Sequence, residues 1–323
     1  MSRAPLRISF FGGGTDYPEY FLEHGGAVLG SAINKYSYVT ANTFWSKLFD
    51  YKIRVSYSTV ELVKKISEIK HPVVREALRL LGIKGDIELH NVADLPAFSG
   101  LGSSSTFTVS LLQALHAFKG ERISGLQLAY EAIHLERNIL KESVGCQDQT
   151  FAAVGGFNLI EFVKEDQIFV HRVPITPQRL YELEQYLILF FTNIKRRASV
   201  IAESQIKRVK KNKDTLKEMR QMVDIGFKIL TTMTPIEEFG LLLHKAWQAK
   251  RTLASSVSNP HIDKMYASAL EAGAIGGKIT GAGGGGFMLL FVPPEKRIAV
   301  KRAFADYQEI PISLNAEGAS VII

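Results

Sequence analysis

Apolar residues recur along this chain with two different periods, and glycine-rich stretches interrupt them. Apolar runs and two-residue alternation predict strands over residues 6–11, 27–40, 52–57, 86–92, 157–163, 167–173, 186–192 and 287–292. Helical spacing predicts helices over residues 61–82, 106–118, 126–140, 236–254 and 261–271, and one long helix or a helix pair over residues 200–230. The chain therefore mixes strands and helices throughout its length.

Several of the predicted helices begin or end at residues that favour such positions. Ser124 and Gln127 form a capping-box pattern. Asn259 precedes Pro260, and Thr234 precedes Pro235, which fits an N-cap followed by proline at the first helical position. Gly82 suits the left-handed residue that follows a helix. These positions predict where four of the helices start or stop.

Three glycine-rich stretches lie far apart, at residues 12–14, 100–105 and 281–286. We expect residues 274–286 to form a loop, because so many glycines cannot build a core element. If the three stretches converge, their backbone amides surround one polyanionic ligand. The chain contains no P-loop pattern and no dinucleotide-binding glycine pattern in a strand–turn–helix setting, which argues against a Rossmann site.

The second stretch has the composition of a phosphate-binding loop. Gly100 and Gly102 let the backbone approach a ligand closely. The first amides of the following helix lack intrahelical acceptors and lie at the positive end of the helix dipole, which favours phosphate. Ser103, Ser104 and Ser105 add hydroxyls for phosphate oxygens or for Mg²⁺. The alternative is an N-capped helix after a turn, because serine is a preferred cap.

Acidic residues with possible chemistry lie near this loop in the predicted order of elements. Phosphoryl transfer needs a metal and often a base, and Glu136 and Asp148 could fill these roles. The alternatives are an exposed Glu136 paired with Arg137 or Lys141, and Asp148 as the cap of the next helix. Asp16 is either an Asx-turn residue or an acceptor for ligand hydroxyls. The residues alone leave these alternatives open.

A basic cluster follows the predicted strand 186–192. Lys195, Arg196 and Arg197 could bind a phosphate group bidentately, and the alternative is a solvated turn. The basic residues between 207 and 213 are typical of a solvated helix face. Cys146 has no local signature of a nucleophile, so we interpret it as a buried bystander.

The composition is that of an ordinary globular protein. The chain has 323 residues, 46% hydrophobic and 22% charged, which suits one large domain or two modest ones, and Pro174 and Pro177 mark the expected boundary. No apolar run approaches the ~20 residues that span a bilayer. We expect no signal peptide, no membrane association and, with one cysteine, a cytoplasmic location. The net charge of +7 suits anionic substrates and permits weak nucleic-acid binding, but the basic helix lacks stacking aromatics.

Three segments resemble the motifs of the GHMP kinases, the family of galactokinase, homoserine kinase, mevalonate kinase and phosphomevalonate kinase. The segments are APLRISFFGGGTDY at residues 4–17, PAFSGLGSSS at residues 96–105 and KITGAGGGGF at residues 278–287. The resemblance implies an α+β fold of two halves, with a ribosomal-protein-S5-like N-terminal half over residues 1–175 and an α/β C-terminal half over residues 176–323. ATP is then expected in the cleft between the halves.

The resemblance also implies roles for individual residues. Ser104 and Glu136 match the family's magnesium ligands, Asp148 matches the catalytic aspartate of its sugar and mevalonate kinases, and Arg7 matches the basic residue that assists it. Homoserine kinases lack that aspartate, so an alcohol acceptor activated by a carboxylate is expected. The implied ATP-binding residues are Pro96, Ser99, Gly100, Leu101, Gly102, Ser103, Ser104 and Ser105. The implied substrate-binding residues are Gly13, Gly14, Thr15, Asp16, Arg196, Arg197, Gly283 and Gly284.

The first motif departs from that of the galactokinases, which have Gly-Glu-His-Thr-Asp where this chain has GGGTD at residues 12–16. That segment, GCQDQ at 145–149 and FTNIKR at 191–196 most resemble kinases of D-glycero-D-manno-heptose 7-phosphate. This implies phosphorylation of the anomeric hydroxyl to give the 1,7-bisphosphate. The alternatives are a kinase of an unphosphorylated sugar such as fucose, or a non-catalytic sugar- or nucleotide-binding module. The sequence leaves open whether the protein is a monomer or a homodimer.

Overall fold

The computed structural model of the chain describes residues 1–96, 100–164, 167–195 and 198–322. Its strands are β1 (Ser2–Phe11), β2 (Gly26–Thr43), β3 (Ile53–Ser56), β4 (Val60–Val63), β5 (Ile87–Ala93), β6 (Phe157–Phe162), β7 (Ile168–Arg172), β8 (Leu187–Phe191), β9 (Gly276–Ile279), β10 (Phe287–Phe291) and β11 (Ser320–Val321). Its α-helices are α1 (Pro18–His24), α2 (Pro72–Leu80), α3 (Ser103–Phe118), α4 (Gly125–Ile133), α5 (Gln147–Val154), α6 (Pro177–Tyr186), α7 (Ala198–Ile206), α8 (Lys213–Thr231), α9 (Glu237–Thr252), α10 (Pro260–Glu271) and α11 (Arg297–Ala303). A π-helical segment, His134–Ile139, continues α4.

The larger sheet collects the strands of the first half of the chain. Its strands follow the order β11-β1-β2-β5-β3-β4, and β6 pairs with both β2 and β7. The pairing of β3 with β5 is parallel, and the other pairings are antiparallel. Strand β11 comes from the end of the described chain and lies beside β1, with Val321 opposite Ser2. The last residues therefore complete the sheet that the first residues begin.

The second half has a smaller antiparallel sheet in the order β8-β10-β9. Helices α3 and α5 contact β1 from the first half, and α8 and α9 contact it from the second. Phe239 of α9 packs edge-on against Phe10 and Phe11, with ring centroids 5.2 and 4.9 Å away. One cluster of buried apolar side chains therefore extends through both halves. The boundary between residues 175 and 176 stays a prediction, and it falls between β7 and α6.

The prediction of one helix over residues 61–82 is wrong in its first part. Residues Val60–Val63 form the edge strand β4, and α2 begins only at Pro72. The carboxylate of Glu61 accepts hydrogen bonds from the backbone N–H groups of Lys70 and His71, at 2.6 and 3.1 Å, which fixes the turn before the helix. Gly82 follows the helix with φ +67°, as its position predicted.

Two smaller predictions also need correction. Residues Gly276–Ile279 form the buried strand β9 and not a loop. Glycine is required there because a Cβ atom at Gly277 would lie 2.5 Å from the carbonyl oxygen of Leu289. Helix α9 begins at Glu237 with Ile236 at the N-cap, so Thr234 does not cap it.

Candidate active site

The three glycine-rich stretches meet at one cleft between the two halves of the chain. The cleft has a volume of about 290 Å³. Of the residues singled out in the sequence, those that line it are Arg7, Gly13, Gly14, Asp16, Gly100, Gly102, Ser103, Ser104, Ser105 and Asp148. Gly281 of the third stretch packs directly on the second stretch. A Cβ atom at Gly281 would lie only 2.4 Å from the carbonyl oxygen of Gly100.

The first stretch forms a tight turn that presents Asp16 to the cleft. Asp16 is buried, and its carboxylate accepts hydrogen bonds from the backbone N–H groups of Gly14, at 2.9 Å, and Gln147, at 3.3 Å. Burial raises the pKa of Asp16, and the charge of Asp148 raises it further. A Cβ atom at Gly145 would lie 1.9 Å from Oδ2 of Asp16, so a larger residue cannot stand there without moving the carboxylate.

The second stretch leads directly into helix α3. Gly102 is the N-cap residue, with φ +81°, and Ser103, Ser104 and Ser105 begin the helix at the wall of the cleft. Because a helix N-terminus directs amide donors and the positive end of its dipole outwards, this wall favours an anion. The described part of the stretch, from Gly100 to the start of α3, therefore forms an anion-binding helix N-terminus.

Asp148 and Arg7 form an ion pair at the floor of the cleft. Nη2 and Nε of Arg7 lie 2.6 and 2.9 Å from Oδ1 of Asp148. Nη1 of Arg7 donates to the carbonyl oxygen of Gly100 at 3.0 Å, so one guanidinium holds both the carboxylate and the phosphate loop. The Arg7 side chain is 3% exposed and that of Asp148 is 27% exposed, so the carboxylate is the partner that a ligand can reach.

Glu136 lies on the π-helical segment behind the serine-rich loop and is fully buried. Its carboxylate accepts hydrogen bonds from Oγ of Ser105 at 2.8 Å, Oγ1 of Thr108 at 2.6 Å and Nε2 of Gln149 at 2.5 Å. Burial raises the pKa of Glu136 to about 7, against the effect of these hydrogen bonds. The serine in contact with Glu136 is thus Ser105, whereas Ser104 lines the cleft. Carboxylate and hydroxyl oxygens are the donors that Mg²⁺ prefers, so Ser104 and Glu136 have suitable chemistry, but Ser104 lines the cleft whereas Glu136 does not.

Several residues singled out in the sequence do not line the cleft. Pro96, Leu101, Thr15, Gly283 and Gly284 lie outside its walls. The hydroxyl of Thr15 donates to the carbonyl oxygens of Gly12 and Ala27 and so closes the turn of the first stretch. The N–H of Gly284 donates to the carbonyl oxygen of Val257 at 2.7 Å and so ties the third stretch to the segment before α10.

Three residues singled out in the sequence lie outside the described residues. They are Ser99, Arg196 and Arg197. The neighbouring Lys195 is exposed.

Other residues line the cleft that the sequence patterns did not indicate. Lys250 in the last turn of α9 is 4% exposed and donates to the carbonyl oxygen of Gly281. Glu142, on the loop before α5, and Gln205, on α7, line the cleft as well. Lys250 looked like an ordinary basic residue at a helix C-terminus, where such residues are common. A signal could have come only from its position on the apolar side of that helix.

Comparison with known proteins identifies relatives over nearly the whole chain. Two family models match it, GHMP kinases N terminal domain over residues 61–156 and GHMP kinases C terminal over residues 233–309. The D-glycero-alpha-D-manno-heptose 7-phosphate kinase of Campylobacter jejuni is 31% identical over 318 residues, which cover 95% of this chain and 93% of that protein. The bifunctional fucokinase/GDP-fucose pyrophosphorylase of Arabidopsis thaliana is 25% identical over 96% of this chain, but over only 31% of its own length.

A solved structure of similar fold extends this result. The D-glycero-D-manno-heptose 1-phosphate kinase from Bacteroides thetaiotaomicron matches with a TM-score of 0.81 and 25% identity, over 98% of this chain and 97% of its own. The fold and the cleft define an ATP-dependent small-molecule kinase, and the chain belongs to the GHMP kinase family. Within that family it is a sugar kinase. The expected α+β fold of two halves is confirmed.

None of the helices in the described ranges is both long enough and apolar enough to cross a membrane. Among the same residues, no group of three or more His, Cys, Asp or Glu side chains is arranged to hold a metal ion.

Proposed function

We propose that the protein transfers the γ-phosphate of ATP to the anomeric hydroxyl of D-glycero-D-manno-heptose 7-phosphate and so produces the 1,7-bisphosphate. The observation that carries the proposal is the Asp148 carboxylate, which Arg7 holds at the cleft beside the phosphate loop. A carboxylate in this position can accept the proton of an acceptor hydroxyl or orient that hydroxyl. Arg7 holds the carboxylate beside the loop through its hydrogen bonds to Asp148 and to the carbonyl oxygen of Gly100.

The phosphates of ATP would bind at the serine-rich loop. Ser103–Ser105 at the start of α3 offer amides, hydroxyls and the helix dipole to the β and γ phosphates. Ser104 and Glu136 would hold Mg²⁺, which neutralises phosphate charge when it is bound. Ser105 and Thr108 orient the Glu136 carboxylate from behind the loop. The protein's own residues thus supply both the anion site and oxygen donors for its counterion.

The sugar would bind on the Asp16 side of the cleft. Asp16 is fixed by backbone N–H groups and can accept hydrogen bonds from sugar hydroxyls. The backbone of Gly13 and Gly14 would allow a close approach of the sugar ring. Arg196 and Arg197 remain the candidates for the substrate's own phosphate, on the sequence argument alone. A cytoplasmic location likewise stays a prediction.

The choice of heptose 7-phosphate is supported by the relative from Campylobacter jejuni, which bears that name. The relative from Arabidopsis thaliana favours a second candidate, an anomeric kinase of unphosphorylated fucose. The structural relative is named for heptose 1-phosphate, which places the existing phosphate at the other end of the sugar. The three names therefore define the acceptors that must be compared.

The test is a measurement of ADP release with ATP, Mg²⁺ and one acceptor at a time. The acceptors are heptose 7-phosphate, heptose 1-phosphate, unphosphorylated heptose and L-fucose. We expect the highest kcat/KM with heptose 7-phosphate, and phosphorus NMR of the product should show an anomeric phosphate. Equal kcat/KM for phosphorylated and unphosphorylated heptose would exclude a phosphate pocket and favour the fucokinase-like alternative. If none of the four acceptors supports ADP release, all four are excluded as substrates.

A further inference from the structure

Gly13 is a glycine that the fold of the first glycine-rich stretch does not require. Its neighbours Gly12 and Gly14 have φ of +83° and +105°, a region that other residues rarely adopt. Gly13 is not among the described glycines with positive φ, and a Cβ atom there would meet no described atom outside residues 12–14 closer than 3.7 Å. The backbone would therefore accept a side chain at this position. Because Gly13 lines the cleft, its missing side chain leaves room for a ligand.

Two polar groups flank the bare face of Gly13. Nε2 of Gln147 and Oγ of Ser9 each lie 3.7 Å from the position that the Cβ atom of Gly13 would take. Oγ of Ser9 and Oε1 of Gln147 are buried and have no hydrogen-bond partner among the described residues. Buried polar groups in folded proteins are normally hydrogen-bonded, so this face is suited to a polar ligand. Gln147 itself lines the cleft and so lies within reach of that ligand.

The first two residues of α5 face opposite sides of the cleft. Asp148 faces the phosphate loop, because a Cβ atom at Gly102 would lie 3.3 Å from Oδ2 of Asp148. Gln147, the preceding residue, faces Gly13 instead, and its N–H donates to Oδ2 of Asp16 at 3.3 Å. These consecutive residues therefore reach the two sides on which the transferred phosphate and the sugar are proposed to bind.

We propose that the side-chain amide of Gln147 selects the acceptor by hydrogen-bonding a ring hydroxyl of the sugar other than the one that is phosphorylated. The bare face of Gly13 admits that hydroxyl to the amide. The inference rests on the proposed function, in which the sugar binds on the Asp16 side. An amide both donates and accepts hydrogen bonds, which suits a hydroxyl, and a site built to bind a hydroxyl rejects analogues that lack it. Gln147 takes no part in proton or phosphate transfer.

The first experiment separates acceptor binding from chemistry. Gln147→Met keeps the length of the side chain and removes its hydrogen-bonding groups, and we expect KM for heptose 7-phosphate to rise about tenfold. The kcat at saturating acceptor and the Kd of AMP-PNP, measured by calorimetry, should stay near the wild-type values, because Asp148 and the phosphate loop are unchanged. A fall confined to kcat, or weaker binding of AMP-PNP alone, would overturn the proposal.

Gln248→Met is the matched control for this substitution. Gln248 is exposed on α9, and its Oε1 atom accepts a hydrogen bond from Nη1 of Arg251 at 3.3 Å. We expect this variant to keep the wild-type KM and kcat. A rise in KM that is equal in both variants would mean that the change at Gln147 is not specific, and it would contradict the inference.

The second experiment identifies the hydroxyl by a double-mutant cycle between protein and acceptor. The wild type and Gln147→Met are compared on heptose 7-phosphate and on its forms deoxygenated at C2, C3 or C4. One deoxy acceptor should lose about tenfold in kcat/KM with the wild type and should lose nothing further with the variant. Independent losses for all three deoxy acceptors would show that Gln147 contacts none of these hydroxyls, and the inference would be wrong.

A third variant tests the same face and keeps Gln147 in place, which matters if Gln147→Met is poorly folded. The methyl group of Gly13→Ala would make only ordinary van der Waals contacts, so we expect this variant to unfold at nearly the wild-type temperature. Its KM for the acceptor should nevertheless rise strongly, because the methyl group occupies the space beside the amide. A folded Gly13→Ala variant with the wild-type KM would contradict the placement of the hydroxyl at this face.

The same measurements with L-fucose and its deoxy forms distinguish failure of this inference from failure of the proposed function. If the wild type uses L-fucose but not heptose 7-phosphate, the proposed function is wrong, and the comparison at Gln147 is made on fucose. If the wild type uses heptose 7-phosphate and Gln147→Met has the same KM for it, only the inference about Gln147 is overturned.

Discussion

At the scale of single residues, the ion pair of Arg7 and Asp148 controls the position of one carboxylate. Arg7 binds only Oδ1 of Asp148 in the contacts described, through Nη2 and Nε. A substrate hydroxyl can approach the carboxylate from the cleft, where the side chain of Asp148 is partly exposed. The pair therefore combines a fixed orientation with access for an acceptor.

We expect Asp148→Asn to lower kcat by about 100-fold or more, because an amide cannot accept the acceptor's proton. The variant retains the shape of the side chain, so binding of ATP should change little, but the thermal transition should move to lower temperature because the buried Arg7 loses its counter-charge. Steady-state kinetics with nucleotide affinity and circular dichroism would check this. Near-normal turnover in a folded variant would remove Asp148 from the mechanism.

Lys278 allows a prediction about stability and pH. Burial, together with the charges of Lys250 and Arg7, holds the pKa of Lys278 well below its usual value of 10.5. Between the lowered pKa and 10.5, the unfolded chain binds more protons at this group than the folded chain does. The free energy of unfolding therefore receives a contribution that increases as pH rises towards 10.5.

Lys278→Met should remove this contribution, so the wild type should gain stability relative to the variant as pH rises from the lowered pKa towards 10.5. Urea unfolding of both proteins at a series of pH values would measure the difference. Lys245→Met serves as the control, because Lys245 is exposed and pairs with Glu218 at the surface. Parallel pH dependences for the wild type and Lys278→Met would show that Lys278 is charged in the folded chain.

The sequence predicted which residue types gather at the cleft better than it predicted their orientation. Gly102 and Asp148 could be found because glycine and carboxylate chemistry is local. Thr15 was predicted to bind the substrate, but its hydroxyl faces Gly12 and Ala27, a direction that depends on the pairing of the first turn with β2. Lys250 was missed for a similar reason, since only tertiary packing brings α9 against Gly281.

At the scale of elements, the start of α3 depends on a residue without a side chain. Gly102 has φ +81°, and a Cβ atom there would lie 3.3 Å from Cγ and Oδ2 of Asp148. At the other end of the same helix Gly120 has φ +76°, and a Cβ atom there would meet nothing within 4 Å. The two glycines therefore share a strained backbone region but differ in their surroundings.

We expect Gly120→Ala to cost about 1–2 kcal/mol of stability through backbone strain alone and to leave kinetics unchanged. Gly102→Ala should cost at least as much and should also lower kcat, because its methyl group presses on Asp148. Denaturation and steady-state kinetics of both variants would separate strain from contact. Equal kinetics for the two variants would mean that Asp148 yields to the methyl group without consequence.

Elements were predictable where the apolar pattern was strong and local signals agreed. The capping box of Ser124 and Gln127 is present, and the Asn259 side chain accepts from the N–H of Ile262. The pattern failed for β4, a short edge strand in which Val60 and Leu62 are exposed, so apolar spacing resembled that of a helix. It failed for β9 because its glycines are selected by neighbouring backbone rather than by strand propensity.

At the scale of the whole molecule, the two halves share one core. Phe239 from the second half packs on Phe10 and Phe11 of the first, and β11 returns to the edge of β1. Residues 1–175 alone would lose both contributions. One cluster of buried apolar side chains therefore crosses the predicted boundary near residue 175, although each half also has a cluster of its own.

We expect the chain to unfold in one cooperative transition, because the shared core couples the halves. Phe239→Ala should cost about 3–5 kcal/mol and should move that single transition to lower temperature. Differential scanning calorimetry would check both points. Two transitions, of which the mutation shifts only one, would show that the halves unfold separately.

The reactivity of the buried Lys278 amine offers a way to measure how often this part of the structure opens. Burial lowers the pKa of Lys278, which favours the nucleophilic, deprotonated amine, but Lys278 is buried on β9 and its hydrogen bonds are directed to Ser9 and Phe10 of β1. An acylating reagent can reach it only after β9 moves away from β1. The rate of acylation at this one position, followed by mass spectrometry, would therefore report how often these two strands separate. Ligands that hold the halves together should slow that labelling.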